Sequence, residues 1–374
     1  MKTYPFLDLK VSNAPFVAQL QAAAADVIAS GRYLRDEQTA LLEQEIAALC
    51  HTEHCVAVSN GLDALRLILR AYKEMGFLHD GDKVITQANT YIATILAITD
   101  NNLQPCLCEP SELTMNLDSN RLEDLITPDV KAIMPVHLYG SPCWDQTLVD
   151  VAKKHHLLII EDNAQAIGAR SSCDGLWSTR ATGGLGHAGA LSFYPTKNLG
   201  ALGDAGAVVT NDKSLADAVR AIANYGSDFR YHNVFQGLNC RIDELQAAML
   251  RVKLPYLHEE NRHRAEIAAI YDHYIQNPLI KKPQIFHDER QVWHQYVIRT
   301  PEREALTEYL NQNGIGWDIH YATPPHMQPC YRRFATAELP LTTRLSHEVV
   351  SLPITHTGVS DAKEIASIIS KFKC

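Results

Sequence analysis

Apolar residues recur along the chain with two alternating patterns, and together these predict a succession of helices and buried strands. Helical spacing covers residues 15–30, the segment that ends at Cys50, the segment after Gly61, and residues 91–98. Short apolar runs, typical of strands buried on both faces, follow the helical segments at 55–58, 84–85, 132–134, 157–160, 191–193 and 207–209. This alternation predicts an α/β fold with a mostly parallel central sheet and helices on both faces.

The second part of the chain follows a different pattern. A long helical stretch covers residues 243–275 and is interrupted at Pro255, which cannot continue a helix. The clearest strand beyond it is predicted at residues 294–298. A chain of 374 residues is longer than one typical hydrophobic core supports. We therefore expect a large α/β domain over residues 1–245 and a smaller α+β domain over residues 246–374.

One lysine stands out in the segment 192–200. Lys197 lies among small, apolar and hydroxyl residues, on a loop that leads into the predicted strand at 207–209. Burial lowers the pKa of an amine and makes it a nucleophile at neutral pH. Such a lysine can form a Schiff base with a carbonyl cofactor, of which pyridoxal 5'-phosphate (PLP) is the commonest. A solvated lysine in a turn is the alternative, and Lys197 alone does not exclude it.

A PLP site also needs an acid beside the pyridine nitrogen, because the protonated ring is the electron sink. Glu161 and Asp162 follow the predicted strand at 157–160, and open α/β sheets bind ligands where their strands end. Gln165 comes three residues later and could hydrogen-bond the ring oxygen. Either acid could instead cap the turn that follows the strand.

A third segment has the features of a phosphate-binding turn. The predicted strand at 55–58 leads into Asn60, Gly61 and a helix with apolar residues at helical spacing. The free amides at a helix N-terminus suit a phosphate, and a glycine permits close approach of the backbone. An ordinary strand–turn–helix unit with Asn60 as N-cap is the alternative. The chain has a helix N-terminus, an acid at a strand end and a loop lysine in this order. Together they indicate a PLP site more specifically than any one of them does.

These segments and several others together resemble a known family. The matching runs are 6–9, 59–65, 88–94, 135–140, 161–169, the Lys197 loop, 237–248 and 320–329, which span nearly the whole chain. On these runs the chain is identified as a member of the DegT/DnrJ/EryC1/StrS group of sugar aminotransferases, which are PLP enzymes of fold type I. The form of residues 60–65 resembles the branch that aminates 3-keto-6-deoxy sugars on dTDP more than the 4-keto branch.

The resemblance implies a role for each matching residue. Lys197 would carry the Schiff base and act as acid–base group, with Asp162 on the pyridinium nitrogen and Gln165 on the ring hydroxyl. Tyr91 would stack on the ring, unless it is a core aromatic of its helix. The implied phosphate contacts are Gly61, Leu62, Ser192 and, from a neighbouring subunit, Asn239. The implied substrate contacts are Tyr33, Arg241, His320, Tyr321 and His326.

The same resemblance implies partners and leaves alternatives open. L-glutamate would donate the amino group and a dTDP- or UDP-linked keto sugar would accept it, in a homodimer with composite active sites. A related PLP dehydratase carries histidine in place of the lysine, and Lys197 argues against it. A PLP-binding regulator without turnover would not need the full set of Lys197, Asp162 and Gln165. Two positions depart from many relatives, His187 and Ala205, and they affect loop conformation rather than chemistry.

Composition and charge argue against several other classes of protein. A net charge of −9 argues against nucleic acid as a partner, and no apolar stretch approaches the roughly 20 residues that span a bilayer. Without a signal-peptide core, the nine cysteines suggest reduced thiols in the cytoplasm. The run from Cys50 to Cys55, with His51 and His54, resembles metal ligands but has no second ligand pair. We therefore expect no metal site.

Overall fold

The structure is a computed structural model that describes residues 2–171, 180–284, 291–334 and 338–373. Its helices in the first part of the chain are α1 (Leu9–Asn13), α2 (Val17–Ser30), α3 (Glu37–Cys50), α4 (Gly61–Glu74), α5 (Ile92–Thr99), α6 (Leu122–Leu125), α7 (Gln146–Lys154) and α8 (Lys213–Ile222). The later helices are α9 (Glu244–Lys253), α10 (Leu257–Tyr274), α11 (Arg303–Gln312), α12 (Pro340–Glu348) and α13 (Val359–Ser370).

The strands alternate with the helices of the first part of the chain. They are β1 (His54–Val58), β2 (Lys83–Gln87), β3 (Gln104–Cys108), β4 (Val130–Met134), β5 (Leu158–Asp162), β6 (Arg170–Ser171), β7 (Arg180–Ala181), β8 (Ala188–Ser192), β9 (Gly206–Thr210), β10 (Ser227–Phe229), β11 (His232–Asn233), β12 (Tyr296–Arg299) and β13 (Val349–Leu352). The short strands β6–β7 and β10–β11 form separate two-stranded pairs.

Seven strands form the central sheet in the order β1-β9-β8-β5-β4-β2-β3. Neighbours from β8 to β3 pair in parallel, whereas β9 pairs antiparallel with both β1 and β8. Strand β9 alone therefore runs against the other six. The predicted α/β fold with a mostly parallel sheet is confirmed. One consequence matters for the site: β1, β2, β4, β5 and β8 all end at the same edge of the sheet.

Alternate residues of each strand pack against different helices. Val56 and Val208 belong to a core with residues of α4 and α8. Their neighbours Cys55 and Ala207 face the opposite side and pack with residues of α3 and α9. Successive side chains of a strand point to opposite faces, and here helices cover both faces. This explains why the strands are continuous apolar runs in the sequence.

The second part of the chain builds its own core. Strands β12 and β13 pair antiparallel, and α10, α11 and α13 pack around them. Tyr4 belongs to the same core, and its backbone bridges Ile315, so the beginning of the chain lies against this second unit. Helices α9 and α10 join through a turn at residues 254–256, where Pro255 interrupts the helix as expected. The division at residue 245 stays a prediction.

One predicted helix begins later than expected, and one strand of the central sheet was not predicted. The helix predicted from residue 15 begins at Val17, because Pro15 lies in a short 3₁₀ turn that precedes it. The sequence did not predict strand β3. It carries Pro105, and Gln104 at its start is exposed, so its sequence lacks the continuous apolar run of the central strands. It lies at the edge of the sheet beside β2, where a proline is tolerated.

Candidate active site

The predicted site residues gather where the parallel strands end. Ser192 closes β8 and is in register with Gly206 of β9, which in turn pairs with Val58 at the end of β1. Asp162 closes β5, the neighbour of β8. The loop that carries Lys197 therefore leaves the sheet between the turn after β1 and the acid at the end of β5.

The turn after β1 is packed too tightly for larger residues. A Cβ atom added to Gly61 would lie 2.6 Å from the Cβ of Ser192. One added to Gly206 would lie 2.4 Å from the carbonyl carbon of Asn60. Asn60 caps α4 through a 2.8 Å bond from the backbone N–H of Asp63. Asn60 is thus an N-cap, as in the ordinary strand–turn–helix unit that the sequence allowed. The cap places the first amides of α4 beside the Ser192 side chain.

The two acids at the end of β5 face opposite sides of the strand. Asp162 is 4% exposed and accepts hydrogen bonds from Thr94 Oγ1 at 2.8 Å and from the N–H of Ala164 at 3.2 Å. Burial raises the pKa of Asp162, and the nearby Lys197 opposes that shift. The Asp162 carboxylate is therefore on the side of the sheet edge where the lysine loop lies.

Glu161 is fully buried and serves a different segment. Its carboxylate accepts backbone N–H bonds from Gly183 at 2.6 Å and from Leu185 and Gly186, both at 2.7 Å. His137 Nε2 lies 2.8 Å from the same carboxylate, while His137 Nδ1 accepts from the N–H of Cys143. The proton of a neutral His137 is therefore on Nε2 and is donated to Glu161. Glu161 holds the glycine-rich approach to β8 and is occupied by these four donors.

Lys197 is partly buried in a tight turn, where its backbone N–H donates to the Tyr194 carbonyl at 2.8 Å. Burial lowers the pKa of its amine to about 8, and Asp162 opposes the shift. The amine makes no hydrogen bond with any residue that the structure describes. A lysine nitrogen with this pKa is substantially neutral at pH 8 and can act as a nucleophile or a base.

Two aromatic side chains and one amide contact one another near Asp162. Tyr91 precedes α5 and is 51% exposed, so it is not the core aromatic that the sequence left open. Its ring centroid is 5.1 Å from that of Tyr321. Gln165 donates from Nε2 to the Tyr321 hydroxyl at 2.9 Å, and its Oε1 accepts from the Tyr139 N–H at 2.7 Å. One N–H of Gln165 is left for a ligand.

The loop that carries His320 is anchored on the second unit. His320 Nδ1 lies 2.8 Å from the Ser351 hydroxyl of β13, and its backbone carbonyl accepts from the Tyr139 hydroxyl. Burial lowers the pKa of His320 and raises that of the Tyr321 phenol. His326 is only 4% exposed, and burial lowers its pKa as well. A contact between His326 and a sugar would require this loop to open.

The remaining predicted residues lie outside this cluster. Asn239 is exposed, and the backbone of residues 240–241 runs beside the end of β1. Arg241 donates to the Asn224 side chain at 3.0 Å and lies 5.0 Å from the Tyr225 ring centroid. Tyr33 is 56% exposed. Within one chain, the described contacts do not bring Asn239, Arg241 or Tyr33 together with Lys197.

Sequence reasoning missed several residues that hold the site. Thr94 donates to Asp162 from 68 residues away, and Tyr139 holds both Gln165 and the loop of His320. Both fall inside runs that resemble the family, which is the signal that could have identified them. No group of three or more His, Cys, Asp or Glu side chains in the described residues is placed to hold a metal ion. No helix within those residues is long and apolar enough to cross a membrane.

The comparisons with known proteins decide the family. The model of the DegT/DnrJ/EryC1/StrS aminotransferase family matches residues 16–373. The chain belongs to this family. It is 46% identical over 365 residues to the dTDP-3-amino-3,6-dideoxy-alpha-D-galactopyranose transaminase of Aneurinibacillus thermoaerophilus, covering 98% of this chain and 97% of that one. It is 42% identical to the dTDP-3-amino-3,4,6-trideoxy-alpha-D-glucose transaminase of Streptomyces venezuelae, over 94% of this chain and 90% of that one.

A solved structure supports the same assignment at the level of the fold. The chain superimposes on S. venezuelae DesV, crystallised with a ketimine intermediate, with a TM-score of 0.93 at 40% identity. The match covers 99% of this chain and 98% of that one. The predicted family, aminotransferase activity and PLP dependence are confirmed.

The described side chains fit PLP in three independent places. The carbonyl group of the cofactor needs a reactive amine, and Lys197 has no competing hydrogen bond in the described residues. Its phosphate needs amides and close backbone approach, and the start of α4 leaves no room for a Cβ at Gly61. Its pyridine nitrogen needs a carboxylate, and Asp162 is buried with Thr94 holding its orientation.

Proposed function

We propose that the protein transfers an amino group from L-glutamate to the keto group of a dTDP-linked 3-keto-6-deoxyhexose at the sheet edge that carries Lys197. The observation that supports this most strongly is that the Lys197 loop, the buried Asp162 carboxylate and the tightly packed start of α4 gather at one edge of the sheet. The sugar class is supported by the similar transaminases of A. thermoaerophilus and S. venezuelae, because both names specify a 3-amino sugar on dTDP.

Binding of the cofactor is assigned to four parts of this edge. PLP, when bound, supplies an electron sink for the carbon that exchanges its nitrogen. Asp162 pairs with the pyridine nitrogen and keeps it protonated, because an opposite charge favours both ionised forms. Ser192 and the amides of Gly61 and Leu62 hold the phosphate. Gln165 uses its free N–H toward the ring hydroxyl, and the exposed Tyr91 covers one face of the ring.

Lys197 is proposed to move the protons of the reaction. A base works best when its pKa lies near the working pH, and burial brings the pKa of this amine from 10.5 to about 8. Asp162 moderates the shift, since its charge favours the protonated amine. Lys197 can therefore both accept and return a proton under mildly alkaline conditions.

The sugar nucleotide is proposed to lie between the loop of His320 and the exposed face of Tyr91. His320 and Tyr321 are held by Ser351 and Gln165, so their positions are set before a substrate arrives. Arg241 and the exposed Tyr33 complete the predicted contacts. His326 joins them only if the loop opens, since it is 4% exposed in the closed arrangement.

We also propose a homodimer in which each site draws on both subunits. Asn239 is exposed, precedes the residues that run beside the end of β1, and makes no described contact with Lys197 of its own chain. A twofold partner would bring the same surface patch of a second copy against it. Asn239 of that copy would then reach the phosphate at the start of α4. The cytoplasm is the setting that we expect for this enzyme.

The purified protein, loaded with PLP, provides the test. Addition of L-glutamate alone should bleach the yellow absorbance of the bound cofactor, and addition of the keto sugar should restore it. A panel of dTDP- and UDP-linked 3-keto and 4-keto sugars then identifies the acceptor, with the position of the new amine read by NMR. Amination at C4 would replace the 3-keto assignment. A yellow protein that glutamate does not bleach would be a regulator rather than a transaminase.

A further inference from the structure

The residue after Lys197 is bound to three groups of the second part of the chain. Asn198 Nδ2 donates to Asn261 Oδ1 at 2.7 Å and to the Val292 carbonyl at 2.8 Å. Its Oδ1 lies 3.2 Å from Nδ1 of His294. Both N–H groups and the carbonyl of this amide are therefore used. The partners come from α10 and from the segment that leads into β12.

The orientation of this amide follows from its partners. The Val292 carbonyl can only accept a hydrogen bond, so Nδ2 of Asn198 must face it. The Asn198 oxygen then faces His294, whose Nδ1 must carry the proton. Burial, with Lys197 and Arg264 nearby, lowers the pKa of His294 well below its ordinary value. His294 is thus a neutral imidazole that donates to Asn198 and adds no positive charge beside the lysine.

Helix α10 holds the other side of this arrangement. Asn261 is 8% exposed and donates from Nδ2 to the Ile167 carbonyl at 3.2 Å. It lies against Gly168, where an added Cβ would be 3.0 Å from Asn261 Nδ2. Gly168 has a φ of +83°, which a glycine adopts without strain. Asn261 therefore connects the end of β5 and the lysine loop to the same helix.

Arg264 fixes the segment that His294 belongs to. It is 3% exposed, lies one turn beyond Asn261 on α10, and donates from Nη1 to the carbonyls of Trp293 and His294 at 3.2 and 3.4 Å. Helix α10 therefore supplies Asn261 directly and, through Arg264, holds the segment that carries His294. A side chain bonded on three sides by fixed partners has little freedom, and the loop that carries it has correspondingly little.

We propose that Asn198 is the positioning residue of Lys197, which fixes the lysine loop to α10 and to residues 292–294 so that the amine stays out of water beside Asp162. This inference rests on the proposed role of Lys197. Other contacts also hold this loop. Lys197 N–H donates to the Tyr194 carbonyl and Ala201 N–H to the Phe193 carbonyl, each at 2.8 Å. Lys253 Nζ donates to the Gly200 carbonyl at 2.6 Å, and Leu199 packs in the core with residues of α3 and α9. Among the described hydrogen bonds of the loop, those of the Asn198 side chain are the ones that join it to α10 and to residues 292–294.

Loss of this side chain has a consequence that an ordinary packing defect would not have. Without Asn198 the loop can move away from residues 292–294, and water then reaches the Lys197 amine. The amine's pKa should rise from about 8 toward its ordinary value of 10.5. A rise of one unit would lower the neutral fraction at pH 8 by about fivefold. The reactivity of Lys197 therefore reports on the position of the loop, whether or not the enzyme turns over.

The test measures that reactivity in the full-length protein after removal of PLP. An amine-reactive label is applied over a range of pH, and its incorporation at Lys197 is quantified by mass spectrometry of the digested protein. Asn198→Ala should raise the apparent pKa by at least one unit and reduce labelling at pH 8 by about fivefold. Asn198→Ser keeps one hydrogen-bonding group, so it should give a smaller shift in the same direction and serves if the alanine variant does not fold.

Asn277 offers a matched control. Its Nδ2 also donates to two backbone carbonyls, of Ile369 at 3.0 Å and Phe372 at 2.9 Å, within the second unit. Asn277→Ala should lower the melting temperature but leave the pH profile of Lys197 unchanged. The proposal is overturned if both Asn198 variants keep the wild-type profile, even when they are less stable, or if Asn277→Ala shifts it equally. Retained turnover in Lys197→Ala would refute the proposed function instead, so the two failures are distinguishable.

Discussion

At the scale of single residues, the alternation of side chains along a strand separates two acids that the sequence could not tell apart. Glu161 and Asp162 are adjacent acids at the end of one buried strand, and either could have faced a cofactor. Successive side chains of a strand point to opposite faces. Glu161 receives four hydrogen bonds from His137 and the glycine-rich segment, whereas Asp162 lies on the side of Thr94 and Lys197. Glu161 is therefore occupied in holding the fold, and Asp162 is the acid that is placed to meet a cofactor.

The same contrast gives a paired prediction. Asp162→Asn removes a charge at nearly constant volume and should lower turnover by at least about a hundredfold with little change in stability. Glu161→Gln replaces the acceptor of three backbone N–H groups by an amide that can accept with only one atom. It should lower the free energy of unfolding by about 3 kcal/mol. Kinetics and denaturant unfolding of both variants check this, and a larger kinetic loss for Glu161→Gln would mean that the wrong acid was chosen.

A second prediction follows from the pKa of Lys197. The folded protein holds this pKa at about 8, whereas the unfolded chain has the ordinary 10.5, so the native state releases the proton first as the pH rises. Below pH 8 the buried charge destabilises the fold fully, and the penalty fades between pH 8 and 10.5. Lys197→Met should therefore make the PLP-free protein more stable at pH 7, by roughly 2–3 kcal/mol. The difference in stability between the variant and the wild-type protein should be smaller at pH 9.5.

Denaturant unfolding of both proteins at the two pH values measures this. A methionine variant that is no more stable at pH 7, or whose advantage is the same at both pH values, would contradict the burial of a charged amine at this position. The variant should also be inactive in transamination. Activity and stability would then be opposed at one residue.

The residues that sequence reasoning identified are those whose chemistry is visible within a short segment. Lys197, Asp162 and Gly61 each belong to a run that predicts a loop, a strand end or a helix start. The contacts of Thr94 with Asp162 and of His294 with Asn198 join residues 68 and 96 positions apart. No local pattern indicates such pairs. They depend on which strands and helices become neighbours, and only the folded chain decides that.

At the scale of elements, hydrophobic period predicted six of the seven central strands and helices α2–α5, α9 and α10, and it failed where tertiary position outweighs local preference. Strand β3 contains a proline and begins with an exposed glutamine, yet it pairs with β2 over its whole length. Its place at the sheet edge removes the need for a continuous apolar run. The loop of His320 could not be predicted in the same way, because Ser351 and Tyr139 that hold it belong to different parts of the fold.

That loop carries a prediction of its own. His320→Asn removes an imidazole that Ser351 positions, while asparagine still offers polar atoms of similar reach. We expect a higher Michaelis constant for the sugar nucleotide and little change in the half-reaction with glutamate, because glutamate lacks the distal groups that His320 would contact. Steady-state and half-reaction kinetics measure the two separately. Equal losses with both substrates would show that the loop supports the cofactor or the fold instead.

At the scale of the whole molecule, the candidate site draws on both parts of the chain. The loop of His320 and the segment 292–294 come from the later part of the chain, while Asp162 ends a strand of the sheet and Lys197 lies on the loop after β8. The partner residue Asn239 would come from a second copy. The contribution of a second copy was predicted only through the family resemblance. Hydrophobic period does not indicate which exposed residues meet across an interface.

A mixing experiment tests the composite site. If Asn239 acts across the twofold interface, a hybrid of Lys197→Ala and Asn239→Ala subunits carries both defects in one site and none in the other. Co-expression of the two should yield about a quarter of wild-type activity, since half of the dimers are hybrids with one intact site. Each variant expressed alone is the control and should be nearly inactive. If the mixture is no more active than the controls, or if the active protein is monomeric by light scattering, the proposal fails.

The central claim is that Lys197 mediates transfer of nitrogen from glutamate to C3 of a dTDP-linked keto sugar. The most direct measurement supplies isotopically labelled glutamate and the 3-keto sugar nucleotide to the PLP-loaded protein, and locates the label in the product by NMR. The account predicts labelled nitrogen on C3 with the wild-type protein and none with Lys197→Ala. Label at another carbon, no labelled sugar with the wild-type protein, or comparable labelling by the alanine variant would contradict it.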